Sequence, residues 1–324
     1  MKTIKMTGLV AAIAASMAFT GAHAQERLTM GATHSASSFY AYQVGIANFL
    51  NNSVDGIDVD VRELGGAEVS TEALLRNEVD MGISVTSSDH GAVQGDAPFR
   101  EPADNLRTLY FFAPLPLNFV VASSSGIETI SDLEGERFNP GGRGTSTEGQ
   151  VDKVFETIGV SPDMARAEGS DALDAFQNRQ IVGFVKGGIN PDGYIEQAAS
   201  SRDIRMLSLT EDQREAVTAA YPFFSSAMTN PDEFYGDSGG SVNTVQTAIG
   251  INTTAALPDQ IAYDIAQAIF SEAGKTAASE VYKPAAGIDA AQLTIDAAVA
   301  PLHPGVVRYL EEEGYSVPAA LTDE

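Results

Sequence analysis

Residues 138–149 read FNPGGRGTSTEG and concentrate groups suited to holding a ligand rather than transforming one. Asn139, Pro140 and the glycines at 141, 142, 144 and 149 fit poorly inside a strand or helix, so the segment is a tight, sharply folded connection. Thr145, Ser146 and Thr147 offer three small hydroxyls and cap candidates ahead of Val151, Val154, Phe155 and Ile158, which recur at helical spacing. A helix N-terminus presents unpaired backbone N–H groups and the positive end of the dipole, which suits an anion. Arg143, next to Gly144, adds a planar charged fork matched to a carboxylate. The same composition also describes an ordinary strand-to-helix turn with a solvated arginine, so the rest of the chain has to decide.

Lys186 ends an apolar strand, a costly place for an ammonium unless it meets an anion or water, or snorkels to the rim. Other polar strand-end loops sit at residues 33–38, 65–66, 86–88 and 186–188. Such loops hold a small polar ligand through backbone donors and hydroxyls, with an aromatic such as Tyr40 shaping the pocket. Catalytic signatures are weak by comparison. The nearest approach to G-x-S-x-G, Gly144-Thr145-Ser146-Thr147-Glu148, fails at its last position. His34, His90 and His303 do not stand at metal-ligand spacing, and the chain has no cysteine to supply a thiolate, a disulfide or a soft metal site. No phosphate-loop lysine follows the glycines, and no G-x-G-x-x-G follows the first strand, so neither ATP nor NAD is supported. Counting does not exclude a carboxylate dyad, but most of the 44 Asp and Glu must be solvated surface. The expectation is no enzyme, no cofactor and no metal.

The elements that must position these loops alternate. A strand at residues 28–31 breaks into the loop at 32–38, and Phe39, Tyr40, Val44, Ile46, Ala47 and Leu50 then follow at helical spacing. A strand at 57–61, a short helix at 69–76 and a strand at 79–85 emptying into Thr86-Ser87-Ser88-Asp89 repeat the plan. Alternation of this kind implies a mainly parallel sheet flanked by helices, with ligands at the carboxyl ends of the strands. Residues 101–117 are punctuated by Pro102, Pro114 and Pro116, and a strand at 118–122 follows. From there the alternation restarts, with helices at 151–159 and 170–178 and a strand at 181–185. The run Glu72-Ala73-Leu74…Val79 rhymes with Asp174-Ala175-Phe176…Ile181, which sets Ser84 opposite Lys186. Two similarly wound lobes are expected: lobe 1 from residues 25–119 and 248–324, lobe 2 from 120–247. Crossings near 118–122 and 245–250 would form a hinge around a ligand cleft.

Residues 1–24 read as a cleavable secretory signal: Lys2 and Lys5, a short apolar run, then Ala22-His23-Ala24, with cleavage expected after Ala24. The run is too short for a membrane span, and the processed chain is expected in a periplasm. The formal net charge of −25 becomes −27 when the two lysines leave. Such a surface repels nucleic acid and anionic lipid. Attraction for an anion must therefore come from a local site.

Taken in order, these pieces resemble the TAXI-type solute receptors of tripartite ATP-independent periplasmic (TRAP) transporters. The resemblance runs over residues 28–314. It is carried by the small-residue loop ending in Phe39-Tyr40, Leu64-Gly65-Gly66, Asn77-Glu78-Val79-Asp80 and Ser88-Asp89. It continues through Ser125-Gly126-Ile127, Ser131-Asp132-Leu133-Glu134-Gly135, Gly144…Thr147-Glu148, Tyr221-Pro222-Phe223 and Leu302-His303-Pro304-Gly305. The resemblance implies a two-lobed α/β binding protein of type II-like plan. It would capture a small organic anion, commonly glutamate or a related carboxylate, and deliver it to a sodium-driven membrane permease. This chain departs from the usual pattern at Arg143 and Lys186, where small or uncharged residues are common in the family, and its first loop is poorer in glycine.

Two added cations suggest a doubly anionic ligand, a dicarboxylate or a sulfonate-carboxylate. The expected binding set is Arg143 and Lys186 on the anion and Gly144, Thr145, Ser146 and Thr147 at the helix start. Thr33, Ser37, Ser38, Tyr40, Gly66, Thr86 and Ser87 would form the opposite wall. The receptor is expected to work as a monomer. A sensor for a membrane kinase and a receptor for an ABC importer share this plan, and a periplasmic enzyme is the remaining alternative.

Overall fold

The computed structural model describes residues 25–322 apart from Ala36 and Glu168. The leader read at residues 1–24 lies outside the described residues. In the first part of the chain β1 (Glu26–Thr33), α1 (Ser38–Ser53), β2 (Ile57–Gly65), α2 (Ala67–Leu75), β3 (Met81–Val85) and α3 (Thr86–Gln94) alternate. The middle holds β4 (Leu106–Ala122), β5 (Arg137–Asn139), α4 (Ser146–Ile158), β6 (Asp163–Met164), α5 (Gly169–Gln177) and β7 (Gly183–Gly187). It continues with α6 (Gly193–Ser201), β8 (Ile204–Met206), α7 (Glu211–Ala220), β9 (Ser225–Thr229), α8 (Asp232–Tyr235) and β10 (Val242–Thr254). Helices α9 (Asp259–Phe270), α10 (Glu272–Val281), α11 (Ala290–Ala297) and α12 (Pro304–Glu312) follow.

The sheet order is β2-β1-β3-β10-β4-β7-β5-β6, with β8 on β4 and β9 on β10. β2, β1 and β3 are parallel, as are β7, β5 and β6. Between these two parallel sets lie β10 and β4, antiparallel to each other and to their outer neighbours. β4 pairs with β10 as far as Pro116 and with β7 from Leu117 onward. These two long strands therefore join the halves.

The apolar interior divides at the same place. One set of buried side chains draws on residues 28–115 and 249–321. The other draws on residues 117–245. α1 shows why its sequence is helical: Tyr42, Ile46, Ala47 and Leu50 are buried on one face at helical spacing. Ser37 caps it, its hydroxyl accepting from the Phe39 N–H at 3.2 Å. The fold is the mixed α/β plan expected from the alternation.

Two local readings give way. The run 86–89, read as a polar loop, is the first turn of α3. Thr86 donates its hydroxyl to Phe223 O at 3.1 Å, and Asp89 accepts from Ser84 Oγ and from Asn252 Nδ2 at 2.7 Å. The bonds to Phe223 and Asn252, distant in sequence, outweigh the modest helix preference of Thr, Ser and Asp. The second concerns residues 106–117, where prolines were expected to interrupt. β4 passes through Pro114 and Pro116 without a break. There its second edge is not yet paired with β7, so an absent N–H breaks no bond on that side.

Candidate functional site

Two helix N-termini, one from each half of the sheet, open onto one cavity of about 440 Å3. From the first half come Gly66, Ala67, Glu68 and Val69 at the start of α2; from the second come Arg143, Gly144, Thr145, Ser146 and Thr147 at the start of α4. Ile83, Val85, Leu115 and Ile249, from β3, β4 and β10, add an apolar wall. Thr33 and Lys186 complete the predicted residues that meet here.

The α4 entry is fixed from several sides. Asn139 Oδ1 accepts from the Gly141 N–H at 2.6 Å, and its amide donates to Ala167 O at 2.9 Å. Gly141, at φ +122°, and Gly144, at φ +74°, occupy backbone conformations that favour glycine. Thr145 is the cap: its hydroxyl donates to Gly142 O at 2.8 Å and accepts from the Glu148 N–H at 3.2 Å. Its proton is therefore engaged inside the turn. Among the described residues no acceptor faces the N–H of Ser146 or Thr147, and these two amides remain for a ligand. Glu148 accepts from the Gly144 N–H at 2.6 Å and from Arg166, which also reaches Asp152 at 3.1 Å.

The two expected cations differ. Arg143 is exposed and has no ion-pair partner among the described residues. Lys186 donates to Gly187 O at 3.0 Å and lies 3.5 Å from Asp192 Oδ2. Asp192 is itself the cap of α6, so the lysine charge is balanced from within the fold. Of the two cations expected to draw a doubly anionic ligand, Lys186 is therefore not free.

The other expected residues scatter. Ser37 lines an adjoining cavity of about 390 Å3 that shares Thr145, Thr147 and Lys186 with the first. Ser38 opens α1, and its side chain lies outside the described set. Tyr40 does not line the cleft; Phe39 does, because one residue along a helix turns the side chain by about 100°. Thr86 is buried, held by Phe223 O and by the Ala248 N–H at 3.3 Å. Ser87 accepts from Gln150 Nε2 at 2.9 Å and lines a further cavity of about 290 Å3. Ser84, paired by sequence rhyme with Lys186, is fully buried and bonded to Asp89.

A model of the NMT1-like family matches residues 30–314. The chain belongs to the NMT1-like family. Its fold is shared with solved periplasmic binding proteins. It is similar to the periplasmic binding protein BugD, at 13% identity over 89% of this chain and 96% of that one, with a TM-score of 0.53. A TctC solute-binding protein from Polaromonas matches at 10% identity over 79% and 88% of the two chains, TM-score 0.52. XAC2383 from Xanthomonas citri, solved bound to ATP, matches at 11% identity over 89% and 95%, TM-score 0.53. At these identities the likeness is one of fold.

Within this NMT1-like chain, sequence reasoning missed Glu68, Phe39 and Gln150 in the cleft wall. Glu68 had a signal: it falls in the first turn after Gly65-Gly66, on the helix whose N-terminus faces the cavity. Burial, then the carboxylates of Glu72 and Glu148, pushes its carboxyl above the usual range. Thr33 contributes a second unread feature, since its hydroxyl is buried with no partner among the described residues. Its N–H, by contrast, is held by Gln43 Oε1 at 3.1 Å. Among the described residues a small molecule here would meet open N–H donors, the Arg143 guanidinium, an unpaired hydroxyl, the Glu68 carboxyl and an apolar wall. That is equipment for binding an anion.

Proposed function

We propose that this protein is a periplasmic solute receptor that captures a small organic anion in the cleft and hands it to a membrane permease. One observation carries the reading: two helix N-termini from opposite halves face the same cavity, with Arg143 at its edge. The anion's oxygens take the free N–H groups of Ser146 and Thr147 and the Arg143 guanidinium. The hydroxyls of Thr33 and Ser146 line the same space. Lobe 1 would comprise residues 25–119 and 248–324 and lobe 2 residues 120–247, closing about β4 and β10. The split of the buried clusters between residues 115 and 117 and between 245 and 249 supports that division. The protein releases its ligand unchanged and acts as a monomer. Export through the leader at 1–24 agrees with this role, as does the fact that no helix among the described residues is long and apolar enough to cross a membrane.

The resemblance to TAXI-type receptors adds the permease class: a sodium-driven TRAP transporter. Uptake into proteoliposomes holding the membrane subunits tests this. The expected result is uptake that requires the receptor and an imposed sodium gradient. Uptake that requires ATP instead would contradict the TRAP assignment and favour an ABC importer. Binding with no uptake, together with stimulation of a membrane kinase, would replace transport by sensing.

A further inference from the structure

Past the cleft wall lies the cavity of about 290 Å3, and Glu68, Ser146 and Gln150 line both spaces. One side-chain bond crosses between them, from Gln150 Nε2 on α4 to Ser87 Oγ on α3 at 2.9 Å. Gln150 is 3% exposed and its side chain stands between the two spaces.

This second space, open to solvent at Asp96, Ala97 and Pro98, differs chemically from the cleft. Two carboxylates, Glu68 and Asp96, line it against one ammonium, Lys153, and that ammonium lies 5.2 Å from the centroid of the Tyr221 ring. His90 also lines it, and burial holds its imidazole below the usual range. The rings of Tyr221 and Phe223, 5.6 Å apart, form an aromatic face. Ser88, 3% exposed, has a hydroxyl with no partner among the described residues. Two carboxylates against one ammonium leave this space net negative, which attracts a cation. Arg143 and the helix N-termini in the cleft attract an anion.

We propose that the ligand is an elongated zwitterion: its carboxylate is held at the α4 N-terminus and its ammonium lies several bonds away, in the second cavity beside Glu68, with Gln150 between the two. The proposal rests on the receptor reading and adds the ligand's second charge and its length.

Calorimetric titration of the full processed chain with γ-aminobutyrate, ε-aminocaproate, caproate, adipate and glutamate tests it. The expected result is that ε-aminocaproate binds about tenfold or more tighter than caproate, and tighter than the shorter γ-aminobutyrate. Glu68→Gln should bring the ratio of ε-aminocaproate to caproate affinity toward one. The exposed Asp96→Asn should lower the same ratio and gives a second variant should the first fold poorly. Adipate binding tighter than ε-aminocaproate, with the difference lost in Lys153→Gln, would overturn the proposal by showing that the second cavity reads an anion. Glutamate binding tightly while ε-aminocaproate does not would overturn the elongated ligand and leave the receptor reading standing. Failure of every carboxylate to bind would overturn both.

Discussion

Asp89 is buried completely, with one oxygen accepting from Ser84 and Asn252 and the other, Oδ2, without a partner among the described residues. Burial raises its pKa from the usual 3.8 to about 7, against the opposing pull of those two hydrogen bonds. The folded state thus holds this proton more tightly than the unfolded chain. The associated stability is fully present below about pH 4 and is lost as pH rises through about 7. The size is on the order of 4 kcal/mol. Asp89→Asn should remove that dependence, so thermal melts should show the variant gaining on the wild type between pH 5 and pH 8. A constant gap across that range would contradict an ionising Asp89. Arg143 has the opposite profile, exposed and free of ion pairs among the described residues. Arg143→Ala should weaken ligand binding by about tenfold or more and leave the ligand-free melting temperature unchanged. At this scale the sequence was only partly legible. It located Arg143, Thr145 and Lys186 at strand and helix ends. The direction of a side chain and the Asp192 partner of Lys186 depend on packing between segments that the local sequence does not bring together.

Among elements, the α4 entry and the α12 entry show how similar-looking runs serve different ends. Gly144 through Thr147 opens α4 toward the cleft. Leu302-His303-Pro304-Gly305, an equally short piece of the family resemblance, opens α12 in the interior. His303 is fully buried; its Nδ1 accepts from the Gly305 N–H at 3.2 Å, and its Nε2–H donates to Leu257 O at 2.9 Å. A Cβ at Gly305 would stand 2.2 Å from Asp259 O, which fixes how closely α12 approaches α9. Gly305→Ala should therefore cost about 1–3 kcal/mol or more in denaturant unfolding. An unchanged midpoint would show that α12 has room to shift. Helix and strand order was readable because periodicity is a local property. α3 was not, because the bonds of Thr86 to Phe223 and of Asp89 to Asn252 join residues distant in sequence. Nor was the continuity of β4 through its prolines, which depends on which edge is paired.

For the molecule as a whole, β4 and β10 carry the chain between two separately buried interiors, and the cleft walls come from both sides of that crossing. A ligand bridging the α2 and α4 N-termini should draw the halves together. Small-angle scattering should then show a smaller radius of gyration with ligand than without, and an unchanged radius would contradict hinge closure. The net charge of −25 gives no long-range help to an anion, so the proposed capture would depend on the local donors of the cleft.

The most direct test of that claim is a thermal-shift titration of refolded, ligand-free protein with small carboxylates, run in parallel on Arg143→Ala. A cleft that binds a carboxylate should be stabilised by about 2.7 kcal/mol at a ligand concentration near 100 times the dissociation constant, a shift of roughly 5 °C or more. That shift should appear in the wild type and be lost in the variant at the same concentration. Equal shifts in both proteins would contradict the site, and no shift with any carboxylate would contradict an anion receptor.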